Sequence, residues 1–339
     1  MSIRVVFLFI LICFSCQNIP EGTLIDLSDT SPAIYYSDFI DSVSYVKLNT
    51  NDSCLISEIE YMFVDSNYCI IKDQGGDGVF IFYQNQLIGH LNNFGRGPRE
   101  FVKVSHLCID RHFNQICIHD DISKKVLKYT YNGEFIKEYP FSAIIRDFTI
   151  TDDKKFICIV PYYIPEVKCG VWLADSNGNY LKNLYEVSKN DQFNLSSVPS
   201  YFQCEDYLIY YDRYKDRIIK VNPDSTQVLF KFNLKQALPQ KMKQDPSQDF
   251  VPGLFIECGF FYSERFMLLG FLSLDKHYWV LFDSKTGSVK VAEKIINDID
   301  DRKINSGPFS YIGNHTFVTA LQASENDCNI YLQLLHVKK

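Results

Sequence analysis

The sequence predicts an all-β protein: a six-bladed β-propeller with four antiparallel strands per blade and an N-terminal strand that completes the last blade. Three observations predict it. A strand–turn–strand unit returns roughly every 45 residues, the period of a propeller blade rather than of a two-layer domain. The composition is 46% hydrophobic and 15% aromatic, with 22 Tyr and 27 Phe against four Met, a bias that suits pleated, half-buried strands. The strand count, finally, closes only when the first strand is shared with the last unit. From Val43 the alternation is of strand type, and the nearest helical candidate, Asn233 to Lys243, is broken by Pro239.

The chain opens outside this pattern. Met1-Ser2-Ile3-Arg4 supplies one positive charge, Val5 to Phe14 is an unbroken apolar run, and Ser15-Cys16 follows. A basic start, a short apolar run and a small residue before the cut describe a secretory signal peptide over residues 1–15. The run is too short for a bilayer, which needs roughly 20 apolar residues. Ile12-Cys13-Phe14-Ser15-Cys16 resembles the bacterial lipobox, which implies lipidation of Cys16 at the mature N-terminus; Phe14 stands where that pattern has a small residue. Several acyl chains on one Cys anchor a protein stably where a single chain does not. Residues 16–38 are polar, contain Pro20, Gly22 and Pro32, and show no sustained period. They read as a lipid-anchored tether and lead-in to a propeller spanning residues 39–339.

The blades are registered by the hairpin before each last strand. In the first unit the turn is Gln84-Asn85-Gln86, and in the second it is Asn132-Gly133, the strongest short hairpin signal. Ser176-Asn177-Gly178-Asn179, Asn222-Pro223-Asp224 and Ser284-Lys285-Thr286-Gly287 follow. Markers at Asn85, Asn132, Asn177, Pro223 and Lys285 are 47, 45, 46 and 62 residues apart. The surplus falls in Lys235–Pro252, rich in Pro, Lys and Gln, which reads as an inserted loop. The second unit shows its strands most clearly: Val104–Asp110, Gln115–His119, Lys125–Tyr131 and Glu134–Tyr139. After the fifth unit only Phe309–Ile312, His315–Ala320 and Asn329–Val337 remain, and the spare strand Val43–Leu48 supplies the fourth. Closure of this kind hides strand edges that would otherwise recruit other chains.

Three segments carry a family likeness. Tyr45-Val46-Lys47-Leu48-Asn49-Thr50, the loop Gly95-Arg96-Gly97-Pro98-Arg99-Glu100-Phe101 and the acidic strand end at Asp110 resemble the six-bladed β-propeller lipoproteins of Bacteroidetes, relatives of NHL-type propellers. In this chain Arg99 stands where the group has Gly. The resemblance covers nearly the whole mature chain. It implies the fold and an exported, lipid-anchored address, expected at the outer membrane, and it implies no activity. Glu21 is the one acidic residue in Gln17–Glu21, so an acid-rich signal for surface export is not evident there.

Composition excludes several classes. A net charge of −7, from 34 Lys+Arg against 41 Asp+Glu, argues against a nucleic-acid binder, which needs a basic surface. Membrane contact is expected through the lipid anchor only, and the domain is expected to be monomeric. Of the eleven Cys, nine remain once Cys13 and Cys16 are set aside, an odd number. Most sit inside strand patterns, as in His106-Leu107-Cys108-Ile109, where a thiol packs as a small hydrophobe. Buried free thiols are the expectation, with one or two adjacent-strand disulfides left open. There is no CxxC pair, no zinc-spaced Cys/His cluster, no HExxH and no Gly-x-Ser-x-Gly elbow.

The candidate ligand residues fall in two sets. In propellers the loops joining one blade's last strand to the next blade's first lie on one face with the second-to-third strand turns. That places Arg96, Arg99 and Glu100 near Asp73 and Asp77 of Asp73-Gln74-Gly75-Gly76-Asp77-Gly78, and near Asp120 and Asp121. One reading is a rim of charge that recognises a polar ligand. The other is a blade joint, with Gly95, Gly97 and Pro98 setting the turn and Arg96 and Glu100 bracing it as an ion pair. The second set is the channel wall on the innermost strands: Tyr61, His106, Arg146, Asp147, Gln203, Glu257 and Asn305. There His106 and Glu257 are the polar residues a divalent metal would need, although a solvated His106 in a water-filled channel explains the same pattern. No cofactor is predicted and no residue is assigned to catalysis or metal binding. The leading expectation is a binding module for a protein, peptide or glycan. A metal-dependent hydrolase or lactonase at the channel mouth and a structural accessory of an outer-membrane uptake or secretion assembly are the alternatives.

Overall fold

A computed structural model of the chain describes residues 22–50, 56, 59–65, 67–76, 78–141, 145, 147–160, 170–187, 201–203, 207–212, 215–239, 256–273, 276–300, 302, 310–312, 315–322 and 330–339. These form six four-stranded, mainly antiparallel sheets arranged as the blades of a propeller. Blade I is Ile59–Asp65, Tyr68–Asp73, Val79–Tyr83 and Gln86–Leu91; blade II is His106–Asp110, Gln115–Asp120, Lys125–Thr130 and Phe135–Pro140. Blade III is Asp147–Ile150, Phe156–Val160, Gly170–Ala174 and Tyr180–Glu186; blade IV is Tyr201–Gln203, Leu208–Asp212, Arg217–Val221 and Thr226–Leu234. Blade V is Ile256–Tyr262, Phe266–Leu272, His277–Asp283 and Ser288–Ala292. Blade VI takes Ser310–Tyr311, Thr316–Gln322 and Ile330–Val337 from the C-terminus and Ile40–Leu48 from the N-terminus.

The closure therefore stands as the strand count predicts. Ile40–Leu48 runs antiparallel to Ile330–Val337, with Val46 opposite Leu332. It begins three residues before the expected Val43, beyond an irregularity in register at His336/Val337 that lets Ile40 bury against the short helix Tyr36–Phe39.

Strand chemistry follows position in the blade. Second and third strands are sandwiched between neighbouring blades, so Phe156–Val160 and Gly170–Ala174 are buried at every residue and read as continuous apolar runs. Outer strands face solvent on one side and alternate or turn polar, as Tyr180–Glu186 does. The core is accordingly a set of seams between blades. Ile70, Ile81, Phe101, Leu107 and Leu127 fill the seam of blades I and II, and Val126, Phe141, Phe148, Phe156 and Trp172 fill that of II and III. Leu48, Ile71, Phe80, Val318 and Leu332 join blade VI to blade I. Cys69, Cys108, Cys117 and Cys158 are free and buried within these seams.

Residues 22–38 of the expected tether lie on the disc. Thr23–Ile25 adds a parallel strand to the outer edge of blade IV, opposite Phe232–Leu234, and Ile34–Tyr35 pairs in parallel with Ile295–Ile296. Ile25, Leu27 and Ile34 are buried there. Three- and two-residue pairings are too short to produce a readable period, which is why the segment looks structureless in sequence. The start of the inserted stretch meets this segment. The Lys235 amide donates to the Ile25 carbonyl at 2.9 Å, Gln236 Nε2 donates to Asp26 Oδ1 at 2.7 Å, and Lys235 Nζ pairs with Asp26 at 2.8 Å. Lys235 first, then Ser28 and Gln236, hold the Asp26 carboxyl well below its usual range. Residues 240–252 of the insertion lie outside the described residues.

Candidate functional site

The loop between blades I and II is built from short-range hydrogen bonds. Phe94 and Phe101 form a bridge and meet edge to face at 5.0 Å, while the Gly95 amide donates to the Phe101 carbonyl and the Phe101 amide to the Asn93 carbonyl, each at 3.0 Å. Inside this frame the Glu100 carboxylate accepts from the Gly97 amide at 2.7 Å. A Cβ on Gly95 would overlap that carboxylate, so a larger residue there would displace the Glu100 side chain. Glu100 thus braces the joint, though through the Gly97 amide. Among the described residues no ion pair links it to Arg96, in contrast to the pairing the sequence suggests.

Arg99 occupies the left-handed region at φ 65, a conformation that favours Gly. Its amide donates to Glu138 Oε2 at 3.0 Å and its guanidinium lies 5.3 Å from the centre of the Phe135 ring. These contacts hold a strained backbone in place. Lys125 Nζ reaches the Gly97 carbonyl at 3.2 Å and Glu138 at 3.1 Å, tying the 121–125 turn of blade II to the loop. Asp120 completes the joint. It accepts from the amides of Val102 at 2.7 Å, Ile122 at 3.0 Å and Ser123 at 3.1 Å. Burial alone would raise its carboxyl, yet these donors keep it below its ordinary value.

Below the loop lies a buried polar layer. His106 and His119 face each other across the first two strands of blade II and stack at 5.5 Å. His119 is fully buried, packed edge-on by Phe141 at 5.3 Å and Phe148 at 6.2 Å, and neither of its ring nitrogens has a well-formed hydrogen bond. Burial pushes its imidazole down to about 4, against the pull of Asp121 and Asp120. Burial, then the neighbouring His119, pushes His106 down to about 3. Both rings are neutral at physiological pH, and His106 keeps part of its surface exposed. Across the channel the Tyr61 hydroxyl of blade I donates to Asp147 of blade III at 3.2 Å, and Arg111 of blade II reaches the Tyr311 carbonyl of blade VI at 3.2 Å. Lys72, paired with Glu60, is pushed down to about 8 by burial and by Lys103.

The expected site residues divide accordingly. Arg96 and Arg99 are exposed on the rim and Glu100 is half-buried beneath them. Asp73 is 1% exposed at the end of its strand, so it does not offer its carboxylate to the open rim. Asp77, Arg146, Asn305 and Cys16 lie outside the described residues, as do the side chains of Gln203 and Glu257. Among the described residues no group of three or more His, Cys, Asp or Glu side chains is placed to hold a metal ion. His119, Lys72, Lys103, Lys124 and Ile122 stand in no sequence motif and join the site only through the fold. The hairpin Asp110–Gln115 sets the register that puts His119 opposite His106, and that signal could have revealed the pair.

A family model described as a domain of unknown function, DUF4934, matches residues 23–330. The chain belongs to this family. The matched region takes in the edge strand Thr23–Ile25 and blades I to V, and ends at the first residue of the blade VI strand Ile330–Val337. No curated protein matches the chain. Among solved structures, a Bacteroides fragilis protein named as exported is 17% identical with a TM-score of 0.73, over 94% of this chain and 100% of that one. This likeness shows the shared propeller fold. A DUF4221 family member from Bacteroides vulgatus (9% identity, TM-score 0.45, 88% of this chain and 97% of that one) and BamB from Moraxella catarrhalis (12%, 0.44, 87% and 99%) are more distant. Among the described residues no helix is long and apolar enough to cross a membrane.

Proposed function

We propose that this chain is an exported, lipid-anchored propeller that binds a protein, peptide or glycan partner on the face carrying the blade I–II loop. One observation carries the reading. The loop backbone is tied down at Gly95, Gly97, Arg99 and Phe101, yet Phe94, Arg96 and Arg99 are left exposed on it. A rigid frame that presents aromatic and guanidinium groups to solvent has low ordering cost on binding. Phe94 at 46% exposure is an apolar side chain whose burial a partner would supply. The N-terminal Cys16 is read as the lipid site, which would hold the domain at a bacterial membrane, the outer one on the likeness described above.

The test is capture of partners from the cell envelope by the purified protein and by Arg96→Ala/Arg99→Ala. Loss of a captured partner with unchanged thermal unfolding supports the reading, and equal capture by both proteins rejects it. For the anchor, incorporation of labelled fatty acid that disappears in Cys16→Ser is expected.

A further inference from the structure

The blade I–II rim has a charge imbalance that narrows the partner's chemistry, on the reading that this face is the binding face. Arg96, Lys103 and Lys124 are exposed and have no ion-pair partner among the described residues. The nearby carboxylates keep their charge but are mostly withdrawn from solvent or paired: Asp120 is buried beneath three amides, Glu100 is half-buried on the Gly97 amide and Glu138 pairs with Lys125. Among the described residues of this rim Asp121, bonded by Ser105, is therefore the exposed carboxylate set against the exposed cations of Arg96, Arg99, Lys103 and Lys124. These contacts also hold the segments together. Val102 is bonded to Asp120 and Gly97 to Lys125, so the loop bearing Arg96 and Lys103 lies against the turn bearing Lys124. Two apolar side chains belong to the same surface, Phe94 at 46% and Ile122 at 51% exposure.

We infer that this surface docks an acidic peptide segment of a partner protein, one in which carboxylates alternate with an aliphatic or aromatic side chain. Cations without partners beside exposed apolar groups call for both features at once. A sugar chain would offer hydroxyls to Ile122, which has no planar face on which a pyranose can stack. The whole protein carries −7, so it repels acidic partners in general and only a local cationic patch can hold one. The geometry also suits an extended chain. The patch reaches the outer strand Phe135–Pro140 through the Arg99–Glu138 bond, and among the described residues no strand covers that edge. At blade IV the corresponding edge accepts an extended segment, the protein's own Thr23–Ile25.

The probes are a labelled peptide alternating Glu and Leu, the same peptide with Gln for Glu, and polygalacturonate, each titrated against the purified protein. The Glu peptide is expected to bind about tenfold or more tightly than the Gln peptide, with affinity falling as salt is raised. The triple reversal Arg96→Glu/Lys103→Glu/Lys124→Glu should abolish that preference without shifting thermal unfolding, and Ile122→Ser should weaken the Glu peptide several-fold. Equal binding of the Glu and Gln peptides, binding of polygalacturonate in place of either, or a preference that survives the triple reversal overturns the inference. Each of those results leaves partner capture through Arg96 and Arg99 standing, so the two readings fail separately.

Discussion

Replacing His119 with Phe should flatten the acid side of the protein's stability profile. His119 is fully buried and neutral, with its imidazole pushed from 6.5 down to about 4, so the unfolded chain takes up a proton before the folded one does. Its contribution is complete above the unfolded value and is lost as pH falls from 6.5 toward 4. At 1.36 kcal/mol per pH unit, lowering pH from 7.5 to 5 withdraws about 2 kcal/mol through this one side chain. His106 acts in the same direction, pushed to about 3, and remains in the variant. The aromatic surroundings, Phe141 at 5.3 Å and Phe148 at 6.2 Å, favour Phe at the site, and any overpacking cost of about 1–3 kcal/mol is the same at both pH values. Urea unfolding of both proteins at pH 7.5 and pH 5 reads the difference directly. His119→Phe should lose about 2 kcal/mol less than the parent over that interval. Equal losses would falsify the assignment of His119 as a buried neutral ring.

Three further outcomes are expected. Gly95→Ala should displace the Glu100 carboxylate from the Gly97 amide, lowering stability by about 1–3 kcal/mol in thermal or urea unfolding, and Glu100→Gln should cost less than that. At Arg99, with φ 65, Gly relieves backbone strain while giving up the Phe135 contact, so Arg99→Gly should stay within about 1 kcal/mol of the parent. Arg99→Val, β-branched in the left-handed region, should fall about 2 kcal/mol below Arg99→Gly in the same assay. Leu48 is fully buried in the closing strand, so Leu48→Asp should cost about 3 kcal/mol or more and expose a strand edge, seen as concentration-dependent association by light scattering.

Much of the fold is legible because blade hairpins impose strict local chemistry. Gln84 and Asn85 at φ 46 and 68, and Gly133, Gly178 and Gly287 at φ 83, 83 and 71, occupy the conformations that short hairpin turns demand. Each stands where the repeat was marked from sequence. The rim loop was equally visible, since its Gly and Pro residues announce a turn. Its bracing was not, because the choice between an Arg96–Glu100 pair and a Glu100–Gly97 bond depends on where the carboxylate points. His119 was hidden for a different reason. Gln-Ile-Cys-Ile-His-Asp reads as the end of an apolar strand, and only pairing with His-Leu-Cys-Ile-Asp places two imidazoles together.

The amino-acid order by itself determined the number of blades, the shared first-and-last strand, the position of the insertion and the turn at Gly95–Phe101. All of these rest on periods and turn residues that act over a few positions. Only the tertiary structure decided that Thr23–Ile25 extends blade IV, that Asp73 is buried while Arg96 is exposed, and that Asp120 and Glu100 are drawn in beneath backbone amides while Arg96, Lys103 and Lys124 face solvent. Burial and hydrogen-bond partnership are properties of which blades meet across a seam. Contacts between segments some two hundred residues apart or more, such as Thr23–Ile25 with Phe232–Leu234, leave no periodic trace along the chain.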